Sequence, residues 1–426
     1  MKNILIVLSV ILMVGCTSHK KELLTTEKDY DSNLNTKTNP SRDVALEELA
    51  FWQERVGKDS MNSIAISKLA GNYATLFSET GNVEYLYTSE KLIEKALQVS
   101  ARGKDTYLRS LAHNYISQHR FKEAKVLLDS AYTFPDNKRA TELMLFDISM
   151  ELGEYEKAYE YLGLVKNLSD YNYLIRLAKW SDHKGDLDSA IRYMEKAKAI
   201  AESGGVNSLI IWTYSNIADF YGHAGRLEDS YRHYLRTLQL QPDNAYAKKG
   251  IAWIIYSSEK NTSEANRILD SVMKTHKAPD YFLLKSEMAK FDGNLSEAAK
   301  QRQNFIDAVN NGNYGGMYNT YLIKLYAETD PEMALTFAKK EIINRATPET
   351  YQLLAYAQLK AGLKEEALIT LEKHVVGKTS EPKALYCAAL VYKANGMNDW
   401  VLPLKELLME ASFELGPVMA KEIENL

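Results

Sequence analysis

The sequence predicts an all-α protein: a right-handed α-solenoid of about ten helix-turn-helix repeats. Three observations carry this expectation. A short mark recurs roughly every 34 residues along most of the 426-residue chain. Apolar residues on both sides of each mark keep helical spacing. No run shows the period-2 alternation bounded by Asn-Gly or Asp-Gly turns that announces strands. The mark is a turn residue followed five positions later by alanine or serine: Gly153/Ala158, Gly185/Ala190, Gly225/Ser230, Gly293/Ala298 and Gly362/Ala367. Weaker copies stand at His119/Ala124, Lys260/Ala265 and Thr329/Ala334, and Gly396 opens a last copy without its alanine. A period of this size signals a stack in which each unit hides its apolar side against its neighbours.

Each unit reads as two helices, A and B, joined at the mark. Before Gly185, Leu174, Leu177 and Ala178 share a face; after it, Ala190, Tyr193, Met194 and Ala197 do. Small residues are needed where the two helices cross. Ala112, Ala178, Ala218 and Ala355 take that place in helix A, and Ala124, Ala158, Ala190, Ala298 and Ala367 take it in helix B. Connectors carry stop signals: Pro135, Gly204-Gly205, Pro242, Pro279, Pro348 and Pro382. The pattern resembles the tetratricopeptide repeat family. The fifth unit supplies Tyr214, Ile217, Ala218, Tyr221, Gly225, Ser230 and Pro242; the ninth supplies Tyr351, Leu354, Ala355, Gly362 and Ala367. The first unit departs from the pattern by a segment, Gly81 to Ser89, that reads as carrying extra residues, and the sixth and eighth lack the glycine.

The solenoid is expected over 65–415. A capping helix within 42–64 precedes it, with Leu46, Leu49, Ala50 and Val56 covering the open end, and a short tail, 416–426, closes the chain. The first residues read as an address. Lys2 gives a positive start, Ile4–Val14 is an apolar stretch too short to span a bilayer, and Val14-Gly15-Cys16 follows. This resembles a bacterial lipoprotein signal, which implies removal of 1–15 and lipid, palmitate included, on Cys16. The alternative is an ordinary secretory signal with a chance cysteine. Thr17 in place of aspartate implies outer-membrane delivery, by the same resemblance. Residues 16–41 are polar and are expected to be a disordered tether, long enough to hold the solenoid about 25–30 Å from the bilayer.

Composition sets limits. Charged residues make up 25% and hydrophobic residues 46%, the net charge is −4 and the pI about 6.1. A nucleic-acid partner would want a basic excess. With Cys16 lipidated, Cys387 stands alone and reads as a small core residue. Phosphate-cradling loops, HExxH, CxxC and GxSxG are absent from the sequence. Asp219 and His223 are four apart on one helix, read as a surface hydrogen bond with metal binding as the alternative; Asp182-His183 reads as a turn. Gly312–Gly316 reads as a long connector, with a ligand loop as its alternative. Four Asp-Ser-X triplets, at Ser60, Ser130, Ser189 and Ser271, resemble an O-glycosylation sequence. No enzyme, cofactor or metal site is expected.

In the family that the chain resembles, helix A lines a concave groove. Its groove-facing positions here include Asn72, Arg109, His113, Asp147, Arg176, Lys179, Trp212, Asn216, Asp219 and Tyr356, each with a plain solvated face as the alternative. Mixed charge, amides and aromatics suit an extended peptide. The expected function is a membrane-anchored protein–protein interaction scaffold in the bacterial cell envelope. It would bind a protein or peptide partner and face the periplasm or the surface. The alternative is a solute- or glycan-handling lipoprotein beside an outer-membrane transporter.

Overall fold

The computed structural model describes residues 23–426; the signal-like segment and Cys16 lie outside the described residues. Helix α1 (Asp31–Leu34) and helix α2 (Pro40–Lys58) come first. Ten helix pairs follow. Units 1 to 3 are α3 (Ser63–Thr80) with α4 (Val83–Val99), α5 (Lys104–Ser117) with α6 (Phe121–Tyr132), and α7 (Lys138–Leu152) with α8 (Tyr155–Leu164). Units 4 and 5 are α9 (Tyr171–His183) with α10 (Leu187–Gly204), and α11 (Asn207–His223) with α12 (Leu227–Leu240). In unit 6, α13 (Ala245–Ile254) runs on through a π-helical turn, Ile255–Glu259, before α14 (Thr262–Thr275). Units 7 and 8 are α15 (Tyr281–Phe291) with α16 (Leu295–Asn311), and α17 (Asn319–Thr329) with α18 (Pro331–Asn344). Units 9 and 10 are α19 (Pro348–Lys360) with α20 (Lys364–His374), and α21 (Pro382–Ala394) with α22 (Val401–Glu410). Helix α23 (Ser412–Glu424) ends the chain, and no strand occurs among the described residues. The fold is an all-α solenoid of tetratricopeptide type.

The marks do what the sequence asked of them. Gly153, Gly185, Gly225, Gly293 and Gly362 all turn with positive φ, where a Cβ would be strained. His119 (φ 58°) and Lys260 (φ 61°) adopt the same left-handed conformation, at a cost of about 1–2 kcal/mol each. Unit 8 solves the turn differently: the Asp330 side chain caps α18 at Met333 N and Pro331 takes the first helical position. The alanines at the crossings, Ala112, Ala178, Ala218 and Ala355 in helix A with Ala124, Ala158, Ala190, Ala298 and Ala367 in helix B, are all fully buried. Unit 1 carries no insertion. Five residues after Gly81 comes Leu86, buried where other units have alanine or serine, and Ser89 is buried one turn further on. The segment Gly312–Gly316 is a packed connector, with the Tyr314 ring against Gly312 and edge-on to Tyr318.

The array winds back onto itself, which no local signal foretold. The turns of the early units meet connectors far along the chain. Lys277 N donates to Thr80 O at 2.8 Å. Glu79 accepts from Gln241 of the connector after unit 5 at 2.6 Å and from Asn39 at 2.8 Å. Asn344 donates to His119 O across 225 residues, and Arg345 reaches Glu151 at 3.3 Å. Gly153 and Gly185 lie against Ala346 and Ser380. Such ties couple the unfolding of units that a straight array would leave independent.

Three boundaries differ from expectation. Residues 23–39, expected within a disordered tether, form a strap on units 5 and 6. The backbone and hydroxyl of Thr25 donate to Glu259 at 2.7 and 3.1 Å. Tyr30 is 1% exposed and donates to Glu264 at 2.9 Å; Asp31 pairs with Arg267 at 2.6 Å; Leu34 is buried. A few apolar side chains at the right places outweigh a polar composition. The capping helix, α2, buries Ala45 but leaves Leu46 and Ala50 exposed, so only Leu49 and Val56 of the expected four are even partly covered. Residues 416–426 are not a free tail but most of α23, which lies inside the winding.

Candidate functional site

In units 2 to 5 and 7 to 9, helix A buries a crossing residue about seven residues before the turn, and the next residue continues one common face. That row runs His113, Asp147, Lys179, Asp219, then Glu287, Lys324 and Tyr356. In unit 6 the π-turn adds one residue, and Trp253 keeps the place after Ala252. Because the winding closes on itself, Lys179, Asp219, Trp253 and Lys324 of that row line an inner channel rather than an open groove. Three cavities make up the channel. One of about 600 Å³ is lined by Trp212, Asn216, Tyr246, Lys249, Asp280 and Tyr281. The second, about 510 Å³, lies between Asp219, His223, Tyr246, Lys249, Trp253 and Lys383. The third, about 380 Å³, is bordered by Lys179, Asp182, Lys324, Glu349, Glu381 and Lys383. Tyr246 and Lys249 border the first two, and Lys383 borders the last two, so neighbouring cavities share walls along the interior.

The expected groove residues divide. Lys179, Trp212, Asn216 and Asp219 line these cavities. Others are spent on holding units together. Arg109 pairs with Asp105 at 2.9 Å and donates to Thr141 of the next unit at 3.1 Å. Arg176 pairs with Asp147 at 2.6 Å and donates to Leu143 O at 3.0 Å. Tyr356 donates to Glu328. Asn72 is buried with its amide nitrogen unpartnered. His113 is open to solvent, yet the protein crowded around it partly desolvates its imidazole and holds it below the usual range, against the pull of Asp147. The expected bond between Asp219 and His223 is replaced: Asp219 accepts from Tyr234 and Tyr246. Burial pushes the Asp219 carboxyl up even so.

Sequence reasoning missed Lys249, Lys324, Glu349, Glu381 and Lys383. Lys324 follows Ile323, not an alanine, and unit 8 also lacks the turn glycine from which the row is counted; Asp147, after Phe146, is found because Gly153 keeps the count. Glu349 and Lys383 sit in the first turns of α19 and α21 and Glu381 caps α21, beside the connectors, where only the winding brings them inward.

Helix α23 fills the rest of the interior. The Phe413 ring lies over Gly222, and Ser257 donates to Phe413 O at 3.2 Å. Gly416 (φ 82°) passes so close to Trp253 and Glu287 that a Cβ would clash with both. Lys290 pairs with Glu422 at 2.8 Å, and Tyr386 donates to the same carboxylate at 3.0 Å. Glu287 accepts from Tyr256 at 3.1 Å. Burial pushes its carboxyl up to about 7, against the pull of Tyr256, Lys383 and Lys290. The folded state therefore binds that proton more readily than the unfolded state. Stability from this group is full below the ordinary glutamate range and is lost as pH rises through about 7. Melting temperatures between about pH 5 and pH 8 should fall less steeply in Glu287→Gln than in the unaltered chain. Equal slopes would refute the assignment.

Among the described residues, no group of three or more His, Cys, Asp or Glu side chains is arranged to hold a metal ion. None of the helices described is long and apolar enough to cross a membrane. Cys387 is buried, and its thiol is pushed up to about 12 by that burial. Of the Asp-Ser-X serines, Ser189 and Ser271 are buried while Ser60 and Ser130 are exposed.

No family model matches the sequence, and no curated protein does. Solved structures with a similar chain path include a tetratricopeptide repeat protein from Parabacteroides merdae ATCC 43184. It is 15% identical, with a TM-score of 0.39 over 55% of this chain and 93% of that one. The pilF protein of Pseudomonas aeruginosa is 14% identical, with a TM-score of 0.36 over 46% of this chain and 88% of that one. Human IFIT1, solved as a dimer with m7Gppp-AAAA, is 13% identical, with a TM-score of 0.47 over 77% of this chain and 72% of that one. At these scores none carries an argument about what this chain binds.

Proposed function

We propose that this protein is a lipid-anchored interaction scaffold of the bacterial cell envelope, probing for a protein or peptide partner with its inner channel. The observation that carries the reading is the succession of three cavities with shared walls, lined by aromatic, amide and charged side chains of both signs. Such a lining offers an extended peptide both hydrogen-bond partners for its backbone and pockets for its side chains. Anchorage rests on the lipoprotein-like signal ending at Cys16 and puts the outer membrane first among locations. The strap then sets the geometry. Seven chain steps separate Cys16 from Leu23, and at full stretch they reach about 25 Å, so units 5 and 6 would ride close to the bilayer.

The test is a photo-crosslinking amino acid placed in cells at Trp212, inside the channel, and separately at Val126, an exposed position on α6. Capture of a defined partner from the membrane fraction at 212 and not at 126 is the expected result. Cys16→Ala should move both the protein and the cross-linked product out of that fraction. Equal capture at both positions, or unchanged fractionation of Cys16→Ala, would refute the channel or the anchor respectively. Cavities of 380–600 Å³ are also of the size that encloses small molecules, and this favours solute handling as a second reading.

A further inference from the structure

We propose that the cavity between units 3–4 and units 8–10 binds a small zwitterion of amino-acid or dipeptide size. Its carboxylate would meet Lys324 and Lys383, and its ammonium would meet Glu381 together with Asp182 and Glu349. The inference rests on the reading above that the channel is where ligands enter.

The geometry argues by contrast within one wall. Glu151 borders the same cavity and is fully engaged, by Lys179 at 3.0 Å and Arg345 at 3.3 Å. Charges that can reach each other there do pair. Lys324, Lys383, Asp182, Glu349 and Glu381 border the cavity as well, and their side chains make no hydrogen bond or ion pair among the described residues. Two cations and three anions thus face one half-open cavity of about 380 Å³ and remain apart. Unpaired charge crowded by protein is less well solvated than in open water, and a ligand with both signs relieves both sets at once. A simple anion would leave three carboxylates unmatched, and a simple cation would leave two lysines. Arg345 with Glu151 forms one wall of the cavity where the winding closes, and its volume of about 380 Å³ suits a small molecule or a chain end.

Electrostatics run the same way. Burial, then Glu414, Asp182 and Glu349, push the Glu381 carboxyl up to about 6, with His223 pulling against them. Asp182 is also raised, by burial and then by Glu414, against the pull of His223. Solvent reaches Lys324 inside the cavity, yet protein surrounds it. Burial, then Lys383, push its ammonium down to about 8, with Cys387 pulling weakly the other way. An arriving ammonium would favour ionised Glu381, and an arriving carboxylate would favour charged Lys324.

The experiment is calorimetric titration of the full-length chain in detergent with alanylalanine, alanyllysine and alanylglutamate, and with their N-acetyl and C-amide forms. At least one free dipeptide should bind, and blocking either terminus should weaken it about tenfold or more. Lys324→Met should abolish the penalty for the amide and keep the penalty for acetylation. Glu381→Gln should do the reverse. Circular dichroism melting confirms that both variants are folded. Absence of binding by every free dipeptide, or equal binding of free and doubly blocked forms, overturns the proposal. If partner capture at Trp212 persists in that case, the scaffold reading stands and the zwitterion site alone falls.

Discussion

Asp243→Ala is expected to destabilise the fold by about 3–5 kcal/mol, because it strands a buried ammonium. Lys248 is 1% exposed, and its Nζ lies 2.8 Å from Asp243 Oδ1. The same carboxylate takes Arg42 of α2 at 3.3 Å and the Thr275 hydroxyl at 3.3 Å, while the Asp243 backbone N–H donates to Thr38 O at 3.1 Å. One residue thus ties the strap, the capping helix and unit 6 together. Losing it removes the one anion that pairs with Lys248 among the described residues and puts a methyl group in its place. Lys248→Met in the same background removes the stranded charge and should restore much of the loss, since replacing both members of a buried pair by apolar groups is often tolerated. Urea unfolding of the unaltered chain, the single and the double variant is the measurement. A single variant within about 0.5 kcal/mol of the unaltered chain would show that the pair carries no weight.

That node marks the limit of what the sequence could tell. Repetition was legible because each unit satisfies itself locally: a left-handed turn, a small residue at the crossing, an apolar face of helical period. His119 and Lys260 could be recognised as turns without glycine because the rest of the unit around them kept register. The inward row was half legible for the same reason. Lys179 and Asp219 follow an alanine and were found, whereas Lys324 follows Ile323 and was not. What one unit does to another six places along is set by the pitch of the winding, a sum of many small rotations. Nothing near Glu79 announces Gln241, and nothing near Glu151 announces Arg345. The strap was hidden by composition. Leu24, Tyr30 and Leu34 are its few anchors among polar neighbours, and they dock on a surface that exists only once units 5 and 6 have paired.

Removing residues 411–426 should cost the fold more than any single substitution outside the strap node. Leu415 and Ile423 are buried against Cys387, Ala388, Val391 and Leu408. Burial of two such side chains contributes about 3–6 kcal/mol together, before the Lys290–Glu422 pair and the packing of Phe413 on Gly222 are counted. The truncated chain should melt well below the full chain, bind a hydrophobic dye and associate, because the apolar lining of unit 10 loses its cover. Its single described thiol supplies a sharper readout. Cys387 is now 1% exposed, with its Sγ 3.5 Å from Gln352 O. It should be inert to a thiol reagent in the full chain and reactive in the truncated one. Gly416→Val separates the docking of the helix from its mere presence. The residue has φ 82° and no room for a Cβ beside Trp253 and Glu287, so the substitution should expel α23 while keeping its sequence. If both variants melt like the full chain with an inert thiol, α23 is an ornament and the channel extends through the space it fills. If both behave as expected, the chain's own end shapes the channel, and the three cavities are what it leaves for others to occupy.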